Sequence, residues 1–510
     1  MNRTPLETRL PSLGLMTLTR SVPLPWLASL ALIAACSLSS AARAETLSAE
    51  EAVGRAASQN PSLRAALLDA TAARQAVAAE EGARRPALAA SVTGQYAKTL
   101  DAQTPRAGSA SVESSVALRY TTDVGTALEV GTSADSRWNL AEDRTLGPAY
   151  GARAYVSARQ PLLRGAGADA VLAPAAQAQA QAVAAERERD LAASQIALEV
   201  LQAYWELWYA EQAVAVQEQA LAAAERQVND ARARAETLGT GTRVDVLQFS
   251  TAAASIADAL SQARAARTER AIELGRALGM DPVRAASLRA TGAPPSLGPA
   301  PPAAALARAA AERSQELAAM RADLDALRAR VGAAEDADQV RLDVFATASA
   351  GTEWGNDLLT GRSLPGMQPA FSVLGGLDLE LPFGGGRAAA DAARARAQLA
   401  AAEARYRARL DAITAQISAL RVSLDASADQ VALASETARM AGELAEAERQ
   451  RLLLGTSTSA DVVKAEQTLR EAELRKLRAA VSELTSRFQL EHAAGALLER
   501  FASVLPRRSS

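Results

Sequence analysis

The chain has 510 residues, and its 55 Lys plus Arg against 58 Asp plus Glu leave a net charge of −3. That balance offers no basic surface for nucleic acid and no acidic tail. A single cysteine, Cys36, and a single histidine, His492, exclude an internal disulfide and a His/Cys metal cluster, so neither a metal nor a cofactor is expected. Aromatics at 4% are thin for one large packed core. Alanine-rich segments such as "AQAQAQAVAAERERDLAAS", with scattered Arg and Glu, instead predict long helices that pack closely on one another.

The N-terminus reads as an export signal over residues 1–44. The apolar run "PLPWLASLALIAAC" follows Arg20, and "ARA" at 42–44 has the small-x-small cleavage pattern, giving a mature start at Glu45. A start at Met16 would give a signal of more usual length. "IAAC" at 33–36 also fits a lipobox, which would make Cys36 a lipidated first residue; both readings stand, and both export the chain. Beyond the signal there is no run of about 18 apolar residues, so no transmembrane helix is expected. An exported chain without one is periplasmic, secreted, or a β-barrel of the outer membrane.

The remainder is duplicated. "NPSLRAALLDATAARQAVAAE" (60–80) aligns without a gap to "SQELAAMRADLDALRARVGAA" (314–334), so that Leu63 meets Leu317, Asp69 meets Asp323 and Val77 meets Val331. "RQPLLRGAG" (159–167) meets "ELPFGGGR" (380–387), and "LGTGTRVDVL" (238–247) meets "LGTSTSADVV" (454–463). A Pro/Gly-rich connector, residues 290–304, separates the halves and cannot be helical. The expected organisation is a first repeat over 45–289, a second over 305–500 and a tail over 501–510. Each repeat opens with one helix of about 35–40 residues, then strands, then a long helical hairpin.

Strands are expected over about 88–160 and 341–383, where small or apolar residues alternate with polar ones, as in "SSVALRYTTD" (114–123) and "FSVLGGLDLEL" (371–381). The first region holds four candidate strands and the second two. Tyr96, Tyr120, Trp138, Tyr150, Tyr155 and Trp354 fall in these regions, either as a bilayer girdle or as decoration of a soluble sheet. The hairpins are expected over about 166–279 and 387–498. Their first arms are uninterrupted but for Pro174 and would reach roughly 100 Å at 1.5 Å per residue. Leu198, Leu201, Trp205 and Trp208, and in the second half Ile413, Ile417, Leu420, Leu424 and Val431, hold coiled-coil spacings. The cluster Tyr204, Trp205, Trp208 and Tyr209 reads as packing, and His492 in "QLEHAAGALL" as structural or solvated.

The duplicated Gly-Thr stretch lacks the Gly-Lys-Ser/Thr of a phosphate loop. Its grammar is that of a helix reversal. Gly239 and Gly455 suit a C-cap; Thr242 and Thr458 suit the next N-cap; Asp245 and Asp461 then sit at N3, completing capping boxes. The two reversals lie far along the hairpins from the strands, where acidic residues of several chains would ring an aperture. Whether Asp245 and Asp461 face such an aperture or only cap their helices is open at this level.

With these landmarks the chain closely resembles the TolC family of outer-membrane efflux and secretion channels. The likeness covers roughly 45–498. It is carried by "ASQNPSL" (57–63), "QPLLRGAG" (160–167), "LQAYWELWYAEQAVAVQEQAL" (201–221), "LGTGTRVDVLQF" (238–249) and "LGTSTSADVVKAEQTL" (454–469), in that order and spacing. The resemblance implies a mainly α fold with a membrane β-barrel portion: a homotrimer whose long helices form a periplasmic α-barrel. Each protomer would give four strands to a twelve-stranded barrel in outer-membrane lipid. It implies a periplasmic adaptor (membrane fusion) protein and an inner-membrane pump or ABC transporter as partners. The matching tip positions are Asp245 and Asp461 for a cation-sensitive constriction, and Gly239, Thr240, Gly455 and Thr456 for the adaptor-docking turn.

Two departures stand out. Where some members carry a further aspartate, this chain has Gln248 and Lys464, the latter placed to pair with an acid at the tip. The first strand region is longer than the second, and its extra hairpin, around 112–136, either lies outside the membrane or changes the strand count. The function expected is a passive exit duct of a tripartite efflux pump or type I secretion system. The alternative is a periplasmic coiled-coil adaptor or scaffold, against which the duplicated hairpins and strand regions argue. No nucleophile–base–acid set points to an enzyme. The exported substrate is not legible.

Overall fold

The computed structural model describes residues 45–98, 108–141, 144–238, 242–295, 298–355, 368–381 and 386–501. The signal region with Cys36, the turn residues Gly239 and Thr240, and most of the C-terminal tail lie outside the described residues. In chain order the elements begin with β1 (Thr46–Leu47), α1 (Ala49–Gln59) and α2 (Pro61–Ala83). Then come β2 (Ala87–Lys98), β3 (Gly108–Thr121), β4 (Ala127–Ala141) and β5 (Arg144–Pro161). The first hairpin is α3 (Ala168–Ala233) and α4 (Arg243–Leu278), followed by α5 (Pro282–Ala285) and β6 (Arg289–Ala290). The second repeat is α6 (Ala303–Arg313), α7 (Gln315–Ala337), β7 (Arg341–Gly355), β8 (Gln368–Glu380), α8 (Arg387–Leu453), α9 (Ser459–Ala493) and α10 (Leu497–Arg500).

The opening helix of each repeat is broken, where the sequence reading expected it whole. Asn60 caps α2: its side-chain oxygen accepts from the N–H groups of Ser62 (2.8 Å) and Leu63 (3.2 Å), and Pro61 takes the first helical position. At the repeat-equivalent position Ser314 caps α7. The breaks let two short helices join end to end with the return arms of the hairpins. The Asn60 side chain donates to the Ala277 carbonyl at 2.8 Å, and Gly279, at φ +74°, brings its Cα so close that a Cβ would stand 2.7 Å from the Gln59 carbonyl oxygen. In the second repeat Gln315 donates to the Gly495 carbonyl (3.3 Å), and a Cβ on Gly495 (φ +76°) would meet the Arg313 carbonyl oxygen at 2.5 Å. Only glycine holds both the left-handed backbone and the approach. Thus α4 followed by α2, at 36 and 23 residues, runs beside the 66 residues of α3. Likewise α9 followed by α7, at 35 and 23 residues, runs beside the 67 residues of α8.

Around these joints sits the main core. Tyr204 and Leu201 of α3 are fully buried with Trp205 and Trp208 against Leu274 and Leu278 of α4 and Leu484 and Phe488 of α9. The aromatic cluster also fastens the connector. Tyr204 Oη lies within hydrogen-bond reach of the carbonyls of Leu47 and Thr291, its one proton serving one of them at a time, and Trp208 Nε1 donates to that of Gly292 (2.8 Å), which holds β1 parallel to β6. Ile413, Ile417 and Leu424 form the second seam. His492 is half-buried, its Nδ1 2.7 Å from Ser194 Oγ; burial pushes its pKa below the usual histidine value.

The strands form a six-stranded antiparallel meander in the order β2-β3-β4-β5-β7-β8. Its two faces differ sharply. Register places Leu88, Val92 and Tyr96 of β2 on one face with Val116 and Leu118 of β3, Val130 and Trp138 of β4, Tyr150 and Val156 of β5, Val344 and Trp354 of β7, and Phe371, Val373 and Leu377 of β8. From Leu88 to Tyr96, and over the paired positions of the other strands, this face carries no charge. Val92 is 77% and Phe371 75% exposed. The opposite face holds Glu113, Arg119, Glu129, Arg153, Arg159, Asp343 and Asp378, with ion pairs Arg119–Glu129 (3.1 Å) and Arg159–Asp343 (3.0 Å). Of the six aromatics singled out in the sequence, five lie on the uncharged face. Tyr96, Trp138, Tyr150 and Trp354 gather at the end away from the helices, where Tyr150 stacks on Trp354 at 5.8 Å. Tyr155 departs from that set: it points to the charged face, and its hydroxyl donates to Glu129 at 2.7 Å.

Candidate functional site: the paired helix reversals

At 1.5 Å per residue the 66 residues of α3 place its far turn roughly 100 Å from β5. There the chain reverses twice, once in each repeat. The first hairpin leaves α3 through a π-helical turn, Arg234–Leu238, and restarts at Arg243. The second leaves α8 through Leu454 and Gly455, the latter at φ +73°, and restarts at Ser459.

Both new helices open with a complete capping box. Thr242 Oγ1 accepts from the Asp245 N–H (3.2 Å) while Asp245 Oδ2 accepts from the Thr242 N–H (3.1 Å) and hydroxyl (2.6 Å). Thr458 and Asp461 repeat this at 3.2, 3.2 and 2.7 Å. Each box satisfies otherwise orphaned amides and sets a carboxylate at the positive end of the helix.

The two copies differ in what else the aspartate meets. Ser459, buried at the first position of α9, has its hydroxyl 2.6 Å from Asp245 Oδ1 and against Gln248 Oε1; one proton serves one of them at a time. Hydrogen bonds from Ser459 and then Thr242 hold the Asp245 carboxyl below the usual aspartate range. Asp461 is exposed; the Thr458 hydroxyl and amide hold its carboxyl low, with Arg451 and Lys464 adding smaller electrostatic contributions. Lys464 is exposed on α9. Beneath the boxes, Val462 and Phe249 are buried against Val228 and Ala231, so the two reversals share one small core.

The second turn is closed by hydrogen bonds. Gly455 N–H donates to Leu452 O (3.1 Å) and Thr456 N–H to Arg451 O (2.9 Å), while the Arg451 guanidinium reaches Thr456 O (3.0 Å) and Glu448 (2.6 Å). Around it stand exposed apolar side chains that sequence reasoning passed over: Leu453 and Leu454, each 78% exposed, with Val244 and Leu247 beside the first reversal. Ser459 was missed as well, since its partner lies in the other repeat. Among the described residues no group of three or more His, Cys, Asp or Glu is placed to hold a metal, and no helix there is long and apolar enough to cross a membrane.

An antiparallel sheet with one uncharged face, carried on two very long helical hairpins, is the architecture of an outer-membrane channel. The comparisons agree. Residues 306–496 match the outer membrane efflux protein family. The fold is similar to the Campylobacter jejuni CmeC outer membrane channel, at TM-score 0.68 and 15% identity over 90% of each chain. It is also similar to a membrane protein from Pseudomonas aeruginosa, at TM-score 0.66 and 21% identity over 88% of this chain and 93% of that one. The open state of the Neisseria gonorrhoeae MtrE outer membrane channel gives TM-score 0.63 at 18% identity, over 88% and 89%. No curated protein sequence matches. The second repeat thus matches the outer membrane efflux protein family over residues 306–496, and the chain as a whole has the fold of solved outer-membrane channels.

Proposed function

We propose that the protein is the passive exit duct of a tripartite efflux pump or type I secretion system, working as a homotrimer. The uncharged face of the sheet meets outer-membrane lipid, and the helical hairpins extend through the periplasm. The observation that carries this reading is the joining of that sheet to hairpins of roughly 100 Å that end in two capped reversals. The chain works as two repeats, 45–289 and 305–500, around the 290–304 connector, after export and removal of the signal region or lipidation at Cys36.

In this reading the reversals are the periplasmic end. Gly455 and Thr456, with Gly239 and Thr240 in the first copy, form the turn on which the periplasmic adaptor docks, and Leu453, Leu454, Val244 and Leu247 supply its apolar contact. Asp245, Asp461 and Lys464 set the charge of the constriction. Asp461, exposed and hydrogen-bonded within its own cap, is the better placed of the two carboxylates to meet a passing cation. An inner-membrane pump or ABC transporter supplies the energy, and the duct itself performs no chemistry.

Fractionation tests the assignment. Recovery in the outer membrane as a heat-modifiable oligomer supports it; a soluble periplasmic monomer would instead favour an adaptor or scaffold.

A further inference from the structure

The first repeat contributes twice as many strands to the sheet as the second. The additional hairpin, β3 with β4, is no appendage. It pairs with β2 over twelve positions from Ala87–Arg119 to Lys98–Gly108, and with β5 from Ala127–Arg159 onward. Its turn is fixed on the helix side: Gly167 N–H donates to Val124 O (3.3 Å), Arg84 pairs with Asp123 (3.1 Å), and a Cβ on Gly125 would stand 2.7 Å from the Gly165 carbonyl oxygen. Both strands obey the same division of faces as their neighbours. Val116, Leu118, Leu128 and Val130 are exposed on the uncharged side, while Glu113, Arg119 and Glu129 lie on the other.

The sheet ends in two open edges, β2 and β8, of 12 and 13 residues. Among the described residues no strand lies beside their outward backbone groups, and hydrocarbon would leave those groups unpaired at a cost of several kcal/mol each. Joining β2 to β8 within one chain would make a six-stranded ring. About eight strands already give an interior only wide enough to be filled by side chains. The inner face here carries Arg119, Arg153, Arg159, Glu113 and Glu129, which such a ring cannot enclose. A second copy is the fitting occupant. Six alternating strands leave β8 running opposite to β2, so β8 of one copy meets β2 of the next in antiparallel pairing with the uncharged faces continuous.

With the barrel closed by β2–β8 junctions between copies, as the shared barrel of the family resemblance implies, we infer that every strand of the hairpin Gly108–Ala141 is part of its wall. This rests on the trimer proposed above: three copies of six strands make eighteen, against the twelve that the family resemblance implies. Diameter grows roughly linearly with strand number, so the membrane pore is wider by about half.

Single-particle cryo-electron microscopy of the purified oligomer in detergent, with its mass measured in parallel, tests this. The expected result is a trimer by mass with eighteen strands in one ring and β8 of each copy beside β2 of the next. A trimer with a ring of twelve strands, and Gly108–Ala141 folded away from it, overturns the inference and leaves the duct standing. A monomer by mass overturns the trimer and the inference together.

Discussion

The hydroxyl of Ser459 lies 2.6 Å from Oδ1 of Asp245, a contact between residues 214 positions apart that ties the reversal of one repeat to that of the other. Asp245 thereby caps its own helix with one oxygen and holds the neighbouring turn with the other. Asp461, its counterpart, is hydrogen-bonded among the described residues only within its own cap. The end of the duct is thus built from two copies of one motif with unequal tethers.

Removing the tether should loosen the end without unfolding the chain. A hydrogen bond to a charged acceptor contributes about 1.5–3 kcal/mol, at the lower end where the acceptor is half-exposed. Ser459→Ala should raise the resting conductance in planar bilayers and speed amide exchange over residues 455–466, with thermal stability nearly unchanged. Unaltered exchange would show that the bond does not hold the two turns together.

The first cap is testable by itself. Thr242→Ala removes the acceptor for the Asp245 amide and one donor to its carboxylate. Loss of such a cap costs about 1 kcal/mol, confined to the first turn of α4. Faster exchange at residues 243–246, with no change in α9, is the expected pattern.

Acid should act on both reversals at once. The folded-state pKa values of Asp245 and Asp461 lie below the ordinary 3.8. Their contribution is therefore fully present above about 3.8 and is lost as pH falls through the depressed folded values. Exchange of the tip amides, corrected for intrinsic rate, should be flat from pH 7 to pH 5 and rise only below about 3.8. A rise already near pH 6 would mean that other groups control the tip.

The two faces of the sheet predict opposite tolerance. Val92→Arg places a charge on the uncharged face, at a cost of about 2–4 kcal/mol near the bilayer midplane, and should deplete the heat-modifiable oligomer in the outer membrane. Thr93→Arg, one residue on and facing the charged side, should leave it near the wild-type level. Equal loss in both variants would contradict the assignment of faces.

The end-to-end helix joints give a stability prediction. Gly279→Ala combines a left-handed backbone, costing about 1–2 kcal/mol, with a Cβ that would stand 2.7 Å from the Gln59 carbonyl. Thermal unfolding should shift downward by several degrees, and Gly495→Ala should do the same. An unshifted transition would show that the joint yields freely.

What could be seen in the sequence was what is local. Thr242 with Asp245 and Thr458 with Asp461 spell their caps within four residues, and the alternation of β2 through β8 needs only neighbours to be recognised. The broken opening helices were a missed local signal, since Asn60-Pro61 is an N-cap followed by a first-position proline. The rest depends on distant pieces of chain. Neither the Ser459–Asp245 contact nor the approach of Gly279 to Gln59 is written in spacing, because each pairs residues more than two hundred positions apart. Tyr155 looked like its aromatic neighbours until register placed it on the charged face, opposite Gly131 and within reach of Glu129.

The central claim, that this chain forms a conducting duct, is tested most directly by reconstituting the purified full-length protein in planar bilayers. The account predicts discrete, long-lived ionic conductance steps that multivalent cations block from the periplasmic side, with the block weakened in the Asp245→Ala, Asp461→Ala double variant. Protein that inserts as a stable oligomer and passes no current would contradict the duct, and block unchanged in the double variant would remove the two aspartates from its constriction.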